Sequence, residues 1–222
     1  MSRSGAEPVT IVVDDTHSIS GLLWAPLRSR ACYLLAHGAG AGMTHPFMQA
    51  VAAELAERSI ATLRYQFPYM ERRARRPDPP GLAHATVRAA AAQALHLPLF
   101  AGGKSFGGRM TSQTQAVSPL PGVCGLIFLG FPLHPAKRPS EERAQHLFEV
   151  RVPMLFLQGA RDALADAEIL ASVTKQLGGR ASLRLFADAD HSFHVPARTS
   201  RKDAEVRSEM LDALADWIGK LI

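Results

Sequence analysis

A serine between two glycines is the feature of this sequence best suited to chemistry. The stretch Gly103-Lys104-Ser105-Phe106-Gly107 follows an apolar run and precedes a helix-like segment, the context in which a serine sits on a sharp strand-to-helix turn. Side chains at the flanking positions would collide with the neighbouring strand and helix, so glycine is used there. We expect the Ser105 hydroxyl to project from the sheet edge as a nucleophile. The Phe106 N–H, at a helix N-terminus, would face a developing oxyanion.

Two other interpretations of this loop compete with a nucleophile. Gly103-Lys104-Ser105 suggests a phosphate-binding loop, but that motif needs a glycine five residues before Gly103, where the chain has Pro98. A glycine-rich turn without chemistry is the second alternative. The strand–turn–helix context favours the nucleophile over both.

A serine nucleophile needs a base and an acid that orients the base. Asp162 follows the predicted strand Pro153–Leu157, and His191 follows the predicted strand Ser182–Phe186. Both residues therefore lie in loops after strands, on the same rim as Ser105. Their order, spacing and rim together predict a catalytic triad of Ser105, Asp162 and His191.

Each partner has a rival along the chain. Asp162 would also serve as the N-cap of a predicted helix Ala163–Leu177, and Asp166 is a second acid, ranked lower because it would lie one turn inside that helix. His194 is an alternative base, ranked below His191 because it is farther from the strand end. His191 and His194 also suggest a metal site, but no Glu or Cys cluster accompanies them, so we expect neither a metal nor a cofactor.

Small residues follow the first fully apolar strand. That strand ends in His37-Gly38-Ala39-Gly40, and small side chains let the backbone approach a substrate closely and turn its N–H groups inward. Alone, this stretch would indicate only a glycine-rich turn between a strand and a helix. Beside the serine turn it predicts a second hydrogen-bond donor to the substrate, Ala39 first and Gly40 as the fallback.

Strand-like and helix-like segments alternate along the whole chain. This alternation predicts an α/β fold, a mostly parallel sheet with helices on both faces and a ligand site beyond the carboxyl ends of the strands. We expect one domain over residues 1–222, with 1–8 as a flexible tail. The predicted strands are Val9–Val13, Ile19–Trp24, Ala31–Ala36, Ile60–Tyr65, Leu97–Ala101, Val123–Leu129, Pro153–Leu157 and Ser182–Phe186, and the predicted helices are His45–Arg58, Leu82–Leu95, Phe106–Val117, Ser140–Val150, Ala163–Leu177 and Arg201–Leu221.

These residues together resemble the α/β-hydrolase superfamily over nearly the whole chain. The stretches Leu63–Tyr69 and Gly130–Pro135 are similar to those of a group of small bacterial hydrolases, related to the hydrolase-like subunit of the NSL acetyltransferase complex and to a testis-expressed hydrolase-like protein. Dienelactone hydrolases are broader relatives that use a cysteine nucleophile, so their specific activity is not carried over to a chain with serine.

The resemblance implies a fold, a mechanism and a substrate class. It implies an α/β-hydrolase fold in which Ser105 attacks a small ester or thioester, with Ala39 and Phe106 as the oxyanion hole. Only some twenty residues separate the predicted strand Val123–Leu129 from Pro153, so we expect no helical lid. The alternative function is an interaction scaffold that kept the fold and lost the activity, because fold does not imply function.

The positive charge of the chain is concentrated in one segment. The net charge is +5, and four arginines lie within five residues, Arg72, Arg73, Arg75 and Arg76. Without them Lys plus Arg falls from 25 to 21, against 20 for Asp plus Glu. A solvated loop is the plainer interpretation, and the sharper one is that the loop attracts an anionic substrate. Neither supports a nucleic-acid partner, because no stacking platform accompanies the arginines.

Cysteine usage and hydropathy bear on the location of the protein. Cys32 and Cys124 are the two cysteines, both within apolar runs typical of buried strands, so we expect no disulfide and a reducing, cytoplasmic compartment. The first eight residues lack the apolar region of a signal peptide. No apolar stretch is long enough to predict a transmembrane helix.

Overall fold

An eight-stranded sheet is the centre of the computed structural model, which describes residues 5–222. The strands lie in the order β1-β2-β4-β3-β5-β6-β7-β8, and β3 to β8 are parallel while β1 and β2 pair antiparallel. Their bounds are β1 Glu7–Val12, β2 Ser18–Trp24, β3 Ala31–Ala36, β4 Ile60–Tyr65, β5 Leu99–Lys104, β6 Val123–Leu129, β7 Met154–Gly159 and β8 Ala181–Phe186.

Helices cover both faces of the sheet. They are α1 Pro46–Glu57, α2 Pro68–Glu71, α3 Pro80–Ala92, α4 Phe106–Val117, α5 Ala167–Leu177 and α6 Asp203–Gly219, with two 3₁₀ helices at Glu142–Glu149 and Gly178–Arg180. The apolar residues of α3, α4 and α5 belong to one core cluster, and those of α1 and α6 belong to a second cluster. The expected α/β architecture, a mostly parallel sheet with helices on both faces, is therefore confirmed.

Strand β3 shows why the apolar runs predicted buried strands so well. All six of its side chains are buried. Cys32, Leu34 and Ala36 contribute to the first cluster, whereas Tyr33 and Leu35 contribute to the second. Successive side chains of a strand point to opposite faces. A strand with helices on both sides must therefore be apolar at every position.

The connection between β6 and β7 is short. Its only helical element is the 3₁₀ helix Glu142–Glu149, where the sequence predicted a regular helix Ser140–Val150. No additional lid domain lies over the carboxyl ends of the strands in residues 5–222. The expected lidless architecture is confirmed.

Other differences from expectation lie at element ends. Helix α5 begins at Ala167 rather than Ala163, and its N-cap is Asp166, whose side chain accepts from two backbone N–H groups. The short helix α2 was not predicted. In the expected tail 1–8, residues 1–4 lie outside the described residues, and Glu7 and Pro8 belong to strand β1.

One of the two cysteines is exposed, although both were expected to be buried. Cys32 is buried, but Cys124 is exposed, and both thiols are free. Within residues 5–222, none of the helices is both long and apolar enough to cross a lipid bilayer.

Candidate active site

Ser105 occupies a strained turn between β5 and α4. Its backbone has φ 49° and ψ −115°, a region that L-residues rarely adopt. A Cβ at Gly103 would lie 2.1 Å from the Ala36 carbonyl oxygen, and a Cβ at Gly107 would lie 2.5 Å from the His37 carbonyl oxygen. Neither distance allows a side chain, so both glycines are required for the turn to pack against the end of β3. This close packing against β3 keeps Ser105 in its strained conformation.

The structure brings Ser105, His191 and Asp162 together. His191 Nε2 lies 2.9 Å from Ser105 Oγ, and His191 Nδ1 lies 2.6 Å from Asp162 Oδ2. The Asp162 side chain is 0% exposed and that of His191 is 24% exposed. A proton can thus pass from the serine hydroxyl to the imidazole, while a buried carboxylate faces the other ring nitrogen.

Two polar groups hold the Asp162 carboxylate in place. Its Oδ1 accepts the Leu164 N–H at 2.7 Å, and its Oδ2 accepts a hydrogen bond from the Gln158 side-chain amide. The amide oxygen of Gln158 in turn accepts the Phe131 N–H at 2.8 Å. Gln158, at the end of β7, was not singled out in the sequence, where nothing local marks it. It orients the acid that faces His191.

The rival residues lie elsewhere. His194 is 62% exposed at its side chain, and its Nδ1 lies 2.8 Å from Asp203 Oδ2, so it is turned to an acid on α6. Asp166, as the N-cap of α5, has its carboxylate engaged with that helix. Within residues 5–222, no group of three or more His, Cys, Asp or Glu side chains is arranged to hold a metal ion.

His37 supports the loop that carries Ala39. Its Nδ1 lies 2.8 Å from the Gly38 carbonyl oxygen, and its Nε2 accepts the Phe67 N–H at 3.0 Å. Because Nε2 accepts, the ring is neutral with its proton on Nδ1. Burial lowers the pKa of His37 from 6.5 to about 4. The buried neutral imidazole thus ties the end of β3 to the end of β4, beside the expected oxyanion donors.

This arrangement predicts a loss of stability in acid. Below pH 6.5 the unfolded chain protonates at His37 while the folded protein resists until about pH 4, so unfolding becomes more favourable as the pH falls. We expect this single residue to cost about 2 kcal/mol of the free energy of unfolding between pH 7 and 4.5. Urea unfolding of wild type and His37→Asn at both pH values measures it. An equal loss in both proteins would contradict the assignment, since other groups such as His146 titrate in both.

A cavity of about 490 Å³ opens at Ser105, within the usual size of small-molecule sites. Ser105 and His191 lie in its wall with Ala39, and Phe47, Met48 and Leu164 give the wall its apolar character. None of the arginines between 72 and 76 lines this cavity. The clustered arginines therefore do not contribute to the wall of this cavity.

Lys104, the residue before Ser105, contacts the His191 loop. Its Nζ donates to the His191 carbonyl oxygen at 2.6 Å and lies 5.8 Å from the centre of the Phe193 ring. Burial lowers the pKa of Lys104 to about 8, opposed by the nearby charges of Asp162 and Asp190. The sequence showed this lysine only as part of a phosphate-loop pattern. In the fold it ties the turn at Ser105 to the backbone of His191.

Solved structures of similar fold are numerous. A dienelactone hydrolase from Anabaena variabilis aligns with a TM-score of 0.77 at 20% identity, covering 98% of each chain. An α/β serine hydrolase without a lid from Xanthomonas campestris aligns with a TM-score of 0.72 at 20% identity, covering 96% of this chain and 95% of the other. An esterase domain from Rhodothermus marinus aligns with a TM-score of 0.71 at 16% identity, covering 96% and 97%. At these identities the likeness concerns the fold.

The family is given by the sequence itself. Residues 29–219 match the sequence model of the family described as alpha/beta hydrolase domain. The matched region includes the turn at Ser105 and the loops of Asp162 and His191, and it spans most of the chain. The protein belongs to the alpha/beta hydrolase family.

Proposed function

We propose that the protein is a serine hydrolase that cleaves a small ester or thioester through an acyl-enzyme on Ser105. One observation carries the proposal. A continuous hydrogen-bonded path runs from Ser105 Oγ through His191 to the buried Asp162, and it starts in the wall of a cavity of small-molecule size. The match to the alpha/beta hydrolase family supports the same class of chemistry.

The reaction begins with attack of Ser105 Oγ on the substrate carbonyl carbon. His191 Nε2 takes the serine proton as the new C–O bond forms, then gives it to the alcohol or thiol as that group leaves. A water molecule repeats the attack on the acyl-enzyme, again giving its proton to His191. The acid leaves, Ser105 regains its proton, and the enzyme returns to its starting state. Asp162 keeps the His191 Nδ1–H oriented and stabilises the imidazolium.

Two backbone N–H groups serve as the oxyanion hole. Phe106 is the first residue of α4, so its N–H has no carbonyl partner within the helix. The N–H of Ala39 makes no hydrogen bond to any group in residues 5–222, and Ala39 lines the cavity. Donors of this kind stabilise the negative charge that develops on the carbonyl oxygen, each by roughly 10²–10³-fold in rate.

A fluorophosphonate probe tests the proposal directly. Such probes phosphonylate an activated serine with loss of fluoride, so we expect the wild type to gain one phosphonyl group, the mass of the probe less HF, on the peptide that carries Ser105. Ser105→Ala should not be labelled. Ser118→Ala, at the exposed far end of the same helix, is the matched control and should label like wild type. A folded wild type that takes up no probe would instead favour an interaction scaffold that kept the fold and lost the activity.

A further inference from the structure

A second cleft lies next to the catalytic cavity. It has a volume of about 790 Å³, and its wall includes Arg72, Arg76, Phe106, Arg109 and Gln113; we call it the arginine cleft. Phe106 follows Ser105 directly in the chain, and Ser105 lines the catalytic cavity. Consecutive residues at the start of α4 therefore line the two depressions.

Arg109 is the most unusual residue of the arginine cleft. It is half-buried, and its Nε atom is buried without a hydrogen-bond partner. Across residues 5–222, it forms no ion pair with a carboxylate. Burial and the neighbouring Arg143 both lower the pKa of Arg109. Desolvating a cation without a counter-ion is costly, and a bound anion would offset that cost.

The one acid in the wall of this cleft is already engaged. Asp78 is 0% exposed at its side chain, and its Oδ1 lies 2.7 Å from the Arg72 guanidinium. Its Oδ2 accepts the Tyr69 N–H at 2.9 Å. Asp78 therefore anchors Arg72 and the loop, while Arg76 and Arg109 have no carboxylate partner in the described part of the chain. The arginine cleft keeps an excess of positive charge.

We propose that the arginine cleft binds a carboxylate or phosphate group of the substrate while the scissile carbonyl lies at Ser105. This inference rests on the proposed function and adds the substrate class to it. A guanidinium presents parallel N–H donors that match the oxygens of either anion. Arg109 follows Ser105 by one turn of α4, and its N–H donates to the Ser105 carbonyl oxygen at 3.1 Å. The Cα atoms of Ser105 and Arg109 are thus about 6 Å apart along the helix, so a substrate that spans both side chains must extend past Phe106, which lines the cleft.

The assignment selects among the clustered arginines. Arg72 and Arg76 line the cleft, but Arg73 and Arg75 do not. Arg109, which no sequence pattern marks, supplies the third positive group. We therefore expect an anion to bind to Arg72, Arg76 and Arg109 in the wall of the cleft, and not to the segment 72–76 as a whole.

Matched ester pairs test the proposal by kinetics. Mono-4-nitrophenyl adipate and 4-nitrophenyl hexanoate differ by a carboxylate on the acyl side, and 1-butyrylglycerol 3-phosphate and 1-butyrylglycerol differ by a phosphate on the alcohol side. For at least one pair, we expect Arg109→Gln to lower kcat/KM for the anionic member by roughly 10- to 100-fold. The neutral member should change less than about 2-fold. Arg76→Gln should act in the same direction but more weakly, because Arg76 is exposed.

Arg28→Gln is the charge-matched control. Arg28 is exposed and lies between β2 and β3, at the end of the sheet opposite to Ser105, so its loss changes the net charge without touching the cleft. Equal effects of Arg28→Gln and Arg109→Gln on both pairs would overturn the proposal.

A binding measurement separates this proposal from the proposed function. Calorimetric titration of Ser105→Ala with inorganic pyrophosphate does not depend on turnover, and we expect binding that is weakened at least 10-fold by adding Arg109→Gln and unchanged by adding Arg28→Gln. If pyrophosphate binding is the same in all three proteins, the anion site is wrong. If instead wild type hydrolyses neither neutral ester, it is the proposed function that fails.

Discussion

Ser105→Ala is expected to lower kcat for ester hydrolysis by about 10⁶-fold while leaving the fold intact. The change removes the only atom of the turn that forms a covalent bond to the substrate. The alanine fits the space that the serine leaves, and Gly103 and Gly107 still allow the turn to pack. Some acceleration over water should persist, because the oxyanion donors belong to the backbone and remain in place.

The measurement is the initial rate of the purified enzyme with 4-nitrophenyl butyrate at saturating substrate concentration. Ser118→Ala is assayed in parallel as the control. Circular dichroism and urea unfolding establish that the Ser105→Ala protein is folded. A folded variant that keeps more than about one tenth of the wild-type rate would show that another residue performs the attack, since loss of a true nucleophile costs far more.

His191→Ala is expected to lower kcat by a similar factor, about 10⁶-fold, because the serine hydroxyl is a weak nucleophile without a base. His191 Nε2 is placed 2.9 Å from Ser105 Oγ, whereas His194 is paired with Asp203. We therefore expect His194→Ala to reduce kcat less than 10-fold. The same assay of the two histidine variants decides between them, and the opposite order would make His194 the base.

The double variant Ser105→Ala, His191→Ala gives a further check. Residues that act as a unit lose their joint contribution when either one is removed. The double variant should thus be about as slow as either single variant. Losses that multiply would mean that the two residues act independently, and this would contradict the proposed mechanism.

Much of the fold could be predicted because its signals are local. The apolar runs of β3, β4 and β6 matched the observed strands residue by residue, and α4 begins directly after Ser105 as expected. Each of these segments is buried on both faces or follows a glycine-rich turn, and such constraints act on neighbouring residues. Element ends were less accurate. The start of α5 depended on whether Asp162 or Asp166 caps the helix, and both residue types suit a cap equally well.

The candidate site could be predicted in outline and not in detail. The glycine pattern around Ser105 pointed to that residue, and the order of the chain pointed to Asp162 and His191. The contributions of Lys104, Gln158 and Arg109 could not be predicted, because each depends on where the fold places its side chain. Lys104 donates to the carbonyl of His191, and Gln158 donates to Asp162 while accepting from Phe131. The exposure of Cys124 was also missed, since a strand pattern does not say which neighbour covers each side chain.

The sequence by itself determined the α/β class, the strand-to-helix turn at Ser105 and the residues that could serve as partners of this serine. These depend on the periodicity of apolar residues, on the positions of glycines and on the order of residues along the chain, all of which can be observed in the sequence itself. Only the tertiary structure decided which acid and which histidine meet Ser105, which groups hold them, and which arginines share a cleft beside it. Such choices depend on distances between side chains on different strands, and the packing of the sheet sets those distances.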